Sequence, residues 1–226
     1  MEVEEYQIPI RRGRRQRRRH WRIPPLALIV AAVVVCALIV WRLLSPPSPV
    51  PPMEEVDLPD WVTVKLLPVN EWSRPGTPLE AVNGVVVHYV GNPGTTAEQN
   101  NSYFRGLAES HDTYASSQFL IGLEGEVLLN VPLDEVAYCS NNRNDDTLSI
   151  ECCHPGEDGS FTGATYDALV KLVRWLADTY DLKREDIIRH YDVTGKECPK
   201  YFVDHEDAWE TFLDDVEQAP ASGGAE

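Results

Sequence analysis

Nineteen consecutive residues without a charge, Ile23 to Trp41 (IPPLALIVAAVVVCALIVW), divide the chain into parts that cannot share one hydrophobic core. An apolar helix of ~20 residues crosses the hydrocarbon of a bilayer. Pro24 and Pro25 fall at its start, where a helix tolerates proline. Residues 1–50 hold nine Arg against three Glu, a balance of 9 − 3 = +6, so with a total of −16 the rest carries −16 − 6 = −22. By the positive-inside bias, residues 1–22 form a cytoplasmic Arg-rich tail and residues 23–44 a single-pass transmembrane signal anchor in the cell membrane, with everything beyond extracytoplasmic. A cleaved signal peptide is the alternative. Its apolar core would be shorter and end in small residues, whereas Ile-Val-Trp-Arg-Leu-Leu follows here. The arginines could serve as a nucleic-acid patch, but their place against the span accounts for them. The acidic outer part excludes nucleic acid as its partner, because affinity for phosphate backbones comes mostly from Lys and Arg.

Residues 45–60 begin SPPSPVPPMEEVDLP, six prolines in fifteen residues. Such a stretch is a semi-rigid extracytoplasmic linker, reaching roughly 45 Å at ~3.1 Å per residue in polyproline II. Residues 61–216 have a globular composition, and residues 217–226, with QAPASGGAE from Gln218, read as a disordered tail.

Within the domain, Asn83 to Val90 (NGVVVHYV) is a β-branched run suited to a buried central strand, with His88 near its end. Thr95 to Ser110 reads as a helix with a Thr cap and Glu98 in its first turn. Ser117–Gly122 and Glu126–Val131 flank Leu123-Glu124-Gly125 as a hairpin. Leu148 to Cys153 (LSIECC) is a short strand with Ser149, Glu151 and Cys153 on one face. Thr165 to Tyr180 is a helix with Thr165 as cap, and Ile187 to His190 is a strand end. The five cysteines form no evenly spaced disulfide framework, though Cys139 could pair with Cys152 or Cys153. Strands, a hairpin and helices in mixed order predict an α/β fold, a sheet with helices packed on it.

The segment Arg189 to Lys200 (RHYDVTGKECPK) crowds a histidine, a lysine and a cysteine into one turn-rich stretch. His190 and Cys198 can bind one metal ion if the chain turns back, and Gly195 and Pro199 permit that. His88, on a neighbouring strand end, supplies a third ligand and leaves a fourth tetrahedral position open. Zinc suits two imidazoles and a thiolate, and an open zinc site lowers the pKa of its water to ~7 and polarises a carbonyl. Glu151, a carboxylate in a short apolar strand, is the candidate base, because desolvation raises its pKa. Lys196 could place a cation beside an oxyanion. Asp192 either orients a histidine or serves the turn.

The runs VVVHYVG, SSQFLIGLEGEV, SIECC and RHYDVTGKECPKYF, in this order and spacing, resemble the zinc-dependent N-acetylmuramoyl-L-alanine amidases, the amidase type 2 family related to peptidoglycan recognition proteins and phage T7 lysozyme. The resemblance covers about residues 82–209. It implies a central mixed β-sheet flanked by helices on both sides and a shallow groove over a Zn2+ ion. It also implies cleavage, in peptidoglycan, of the amide between the lactyl group of N-acetylmuramic acid and L-alanine. The family's metal ligands correspond to His88, His190 and Cys198, its catalytic lysine to Lys196 and its glutamate base to Glu151. A monomer is expected. Two positions depart from the pattern. Ser117 stands where members related to the phage enzyme have a catalytic tyrosine, which shifts the expected mechanism onto Glu151. Tyr138-Cys139 stands where many members have an aromatic residue and then a histidine thought to help bind substrate.

Other readings compete. His111, His154 and His205 are rival ligands, with His154 nearest the chemistry in sequence. A non-catalytic peptidoglycan-binding receptor of the same fold is the alternative function. Its usual mark is a lost third ligand, and Cys198 is present. A hydrolase using Cys152 or Cys153 with His154 is a third reading. Tyr166, Trp175, Tyr180 and Trp209 read as core rather than as a sugar platform.

Overall fold

A computed structural model describes residues 50–221. The expected cytoplasmic tail, the membrane anchor at 23–44, the start of the linker and residues 222–226 lie outside the described residues. Among the described residues, no helix is long and apolar enough to cross a membrane.

These residues contain β1 (Val62–Val64), β2 (Val85–Tyr89), β3 (Phe119–Ile121), β4 (Val127–Leu129), β5 (Leu148–Cys152) and β6 (Ile187–Arg189). They form one mixed sheet in the order β1-β4-β3-β5-β2-β6. The β3–β4 hairpin is antiparallel, and every other pairing is parallel. Strand β2 lies between β5 and β6, and Val85, Val86 and Val87 are fully buried, as a β-branched run covered on both faces requires. The helices are α1 (Ala97–Ser110), α2 (Gly163–Tyr180), α3 (His190–Thr194), α4 (Lys200–Asp204) and α5 (Glu206–Gln218).

Period-2 alternation sends neighbouring strand residues to opposite cores. Phe119, Ile121, Leu148 and Ile150 pack with Leu169, Leu172 and Leu176 of α2 and Phe212 of α5. Leu120 and Leu128 pack with Ala97, Phe104 and Leu107 of α1 on the other side. Helices therefore cover both faces, and each fully buried leucine contributes roughly 2 kcal/mol by burial alone.

Helix α1 starts at a capping box, in which Thr96 Oγ1 accepts from the Gln99 amide and Gln99 Oε1 from that of Thr96. Helix α2 begins two residues earlier than the sequence predicts, and its cap is Thr162. The Thr165 hydroxyl instead donates to the Gly122 carbonyl, tying the hairpin to the helix. The expected linker is shorter than its prolines suggest. Val50, Met53, Val56 and Leu58 are partly buried and pack against the larger hydrophobic core. Glu217 and Gln218 belong to α5 rather than to the tail. Cys139, Cys152, Cys153 and Cys198 are free thiols, so the possible Cys139 pairing is not formed.

Candidate active site

Parallel pairing of β2 and β5 sets His88 opposite Glu151, and Val87 opposite Arg189 of β6 puts His190 at the next position. The two imidazole centroids lie 4.6 Å apart. Arg189 anchors this edge. Its buried guanidinium donates to Asp192 (2.9 Å), Glu206 (2.6 Å) and the Phe202 carbonyl (2.9 Å). The Asp192 carboxylate also accepts from the Arg189 amide at 2.8 Å, so Asp192 serves the turn. Helix α3 then ends at Gly195, whose φ of +76° suits glycine, and the Tyr191 amide donates to the Cys198 carbonyl at 2.8 Å. That reversal returns Cys198 to the histidines.

Nδ1 of His88 lies 3.8 Å from Cys198 Sγ. One ligand atom from each of His88, His190 and Cys198 falls within 4.8 Å of the others, and all three residues are buried. Nδ1 of His190 is buried without a hydrogen-bond partner. An orphaned imidazole nitrogen beside a second imidazole and a thiol fits a shared cation better than a closed hydrogen-bond network. Burial, with the charges of His190 and Lys196 adding to it, holds His88 well below its ordinary pKa. Burial and then Lys196 lower His190. Both shifts favour the neutral imidazole, the form that ligation requires. Burial, reinforced by Glu151, pushes the Cys198 thiol up to about 12, so a cation binding there displaces its proton.

Glu151 occupies the same cavity of about 340 Å³, with Lys196 and Tyr114 on its wall. Burial pushes its carboxyl up to about 8, against the lowering effects of the Cys139 hydrogen bond and the Lys196 charge. The Cys139 thiol donates to Glu151 Oε1 at 3.6 Å, and Oε2 is buried without a partner. Each residue proposed from the sequence, His88, His190, Cys198, Glu151 and Lys196, thus lines one cavity.

The rival histidines are elsewhere. His111 stacks on Trp72 at 4.8 Å, His205 meets the Tyr201 ring at a tilt with centroids 4.5 Å apart, and His154 donates from Nδ1 to the Gly156 carbonyl at 2.8 Å. The Ser117 hydroxyl is buried and donates to the Phe119 carbonyl at 2.8 Å, away from the cavity. A larger cleft, about 960 Å³, lies between Trp61, α2 and α5. Its Lys171 ammonium sits 4.3 Å over the Trp61 ring and its Asp215 accepts from Tyr166 at 2.6 Å, so those groups are already partnered.

Sequence reasoning did not single out Ser140 and Asn141. Ser140 Oγ is 3.2 Å from His88 Nε2, and Asn141 Oδ1 is 2.8 Å from His190 Nε2. A polar run such as SNNRND signals a turn and nothing more.

A family model described as N-acetylmuramoyl-L-alanine amidase matches residues 78–201. The chain is 35% identical over 147 residues to a probable N-acetylmuramoyl-L-alanine amidase of Bacillus licheniformis, covering 60% of this chain and 41% of that protein. It is 31% identical over 182 residues to the N-acetylmuramoyl-L-alanine amidase BlyA of Bacillus subtilis (strain 168), covering 71% and 48%. It therefore spans less than half the length of these curated relatives. A mutant endolysin from Bacillus subtilis superposes with a TM-score of 0.58 at 24% identity, over 69% of this chain and 97% of that one. The PlyG catalytic domain gives 0.60 at 22%, over 73% and 99%. At these identities the structural likeness carries the mixed sheet and its flanking helices.

Proposed function

The chain belongs to the N-acetylmuramoyl-L-alanine amidase family, and from that premise we propose that it is a membrane-anchored, zinc-dependent peptidoglycan hydrolase acting as a monomer outside the cell membrane. Its substrate bond is the amide between the lactyl group of N-acetylmuramic acid and L-alanine. The observation that carries this reading is the convergence of two buried imidazoles and a thiol within one small site, beside a carboxyl with a free oxygen.

His88, His190 and Cys198 would hold the zinc. When bound, zinc supplies a Lewis acid that eases deprotonation of water and polarises the scissile carbonyl. The carboxyl of Glu151, pushed up to about 8 in the metal-free site, takes a proton from the attacking water in its ionised form, the form that a cation bound beside it would favour. The same carboxyl then returns a proton to the departing alanine nitrogen, so charge and protons balance over the cycle. The Lys196 ammonium, on the cavity wall, opposes negative charge gathering on the carbonyl oxygen. The Arg-rich flank and the apolar run Ile23 to Trp41 support the anchor and its orientation.

Purified cell-wall sacculi treated with the full-length chain and zinc should release stem peptides with a free L-alanine amino group, leaving muramic acid with a free lactyl carboxyl, read by mass spectrometry. Binding to sacculi without these new ends would overturn the hydrolase reading and leave the receptor in its place.

A further inference from the structure

We propose that Ser140 and Asn141 are positioning residues that fix the tautomer and aim of both metal-ligating histidines, so that zinc affinity is set in part by this one loop; the inference rests on the zinc reading of the site. The two ligands leave different elements, His88 from β2 and His190 from the start of α3. Their outer nitrogens are met by adjacent residues of a single turn, His88 Nε2 by Ser140 Oγ at 3.2 Å and His190 Nε2 by Asn141 Oδ1 at 2.8 Å. An amide oxygen can only accept, so His190 carries its proton on Nε2 and its Nδ1 lone pair is left free. Nδ1 is the atom that is buried without a partner. At His88, an Nε2 proton donated to Ser140 likewise frees Nδ1, 3.8 Å from Cys198 Sγ.

The loop is built to hold this geometry. Asn144 Oδ1 accepts from the Cys139 amide at 3.1 Å and the Ser140 amide at 2.6 Å, clamping the backbone just before the two contacts. The Arg143 carbonyl accepts from Thr147 Oγ1 at 2.5 Å, and the Arg143 side chain pairs with Asp146 at 2.7 Å. Asn141 itself has φ +54°, a left-handed conformation that few residues other than glycine adopt, asparagine being among them. An exposed residue held there with its amide on His190 matches a need for that side chain. Glycine would serve the backbone alone.

The test follows from that contrast. In the full-length chain, Asn141→Gly keeps the left-handed backbone and removes the amide, Asn141→Asp keeps an acceptor oxygen, and Ser140→Ala removes the other contact. Zinc affinity, measured by competition with a chromophoric chelator, should fall roughly tenfold or more for Asn141→Gly and for Ser140→Ala. It should stay near wild type for Asn141→Asp, and thermal stability of the metal-free Asn141→Gly chain should not drop. Imidazole 15N shifts of the metal-free chain should report His190 protonated on Nε2 in wild type and a tautomer mixture in Asn141→Gly. Unchanged zinc affinity in Asn141→Gly, or wild-type His190 protonated on Nδ1, would overturn the proposal. If instead wild type and Cys198→Ser bind zinc equally weakly, the metal reading fails, and the imidazole shifts still decide the positioning role.

Discussion

Turnover by Glu151→Gln protein is expected to fall about 10³-fold or more, with zinc content unchanged, when sacculus digestion is followed at saturating zinc. The substitution is nearly isosteric and keeps an oxygen for the Cys139 thiol, but an amide cannot take a proton from water. Wild-type rates in the variant would remove Glu151 from the role of base. The same residue gives the metal-free fold a pH signature. Its carboxyl is pushed up from 4.5 to about 8, so the folded state holds a proton that the unfolded chain has released. Stability from this group is complete below about pH 4.5, declines as pH rises and is lost once pH passes about 8. Thermal midpoints of metal-free wild type should therefore drop relative to Glu151→Gln between pH 5 and pH 9. The histidine contributions are common to both proteins and cancel in the comparison.

Cys198→Ser is expected to lower zinc affinity by more than the roughly 100-fold that losing an outer partner costs at most, and to abolish hydrolysis. A serine hydroxyl is a poor substitute for thiolate toward zinc, and the two histidines alone leave the ion exposed. The fold should persist, because Cys198 lies between α3 and α4 and belongs to neither hydrophobic cluster that packs the helices on the sheet. Zinc per chain after dialysis against a weak chelator, alongside circular dichroism, checks both halves. Zinc retained by Cys198→Ser would break the assignment of the third ligand.

Much of this was legible from the residues. Three consecutive valines before His88 mark a strand covered on both faces, and alternation in LSIECC places Glu151 away from Ile150, toward the site. Gly195 and the spacing of His190 and Cys198 imply the reversal that α3 makes. Other features depend on contacts that no local pattern encodes. Strand β1 is a three-residue strand paired only with β4, too short for periodicity to register. The cap of α2 moves from Thr165 to Thr162 because Thr165 is drawn into a hydrogen bond with Gly122, far off in sequence. Val50 to Leu58 read as tether because proline dominates the composition, while four apolar side chains dock on the core. Ser140 and Asn141 were unreadable, since their contacts with His88 and His190 span 52 and 49 residues.

The pairing of His88 with Glu151 across β2 and β5 makes the site a property of the backbone ladder. The facing positions of ligand and base cannot be altered by reshaping loops. Inserting or deleting one residue within Leu148 to Ile150 would turn the carboxylate into the core beneath the sheet and bring Ile150 or Cys152 to the site in its place, since side chains alternate with a period of two. Variation that alters substrate preference is therefore confined to the rim, where Tyr114 and Tyr138 can change without disturbing that pairing. Any redesign of this domain that moves β5 by a single step should lose the chemistry while keeping the sheet.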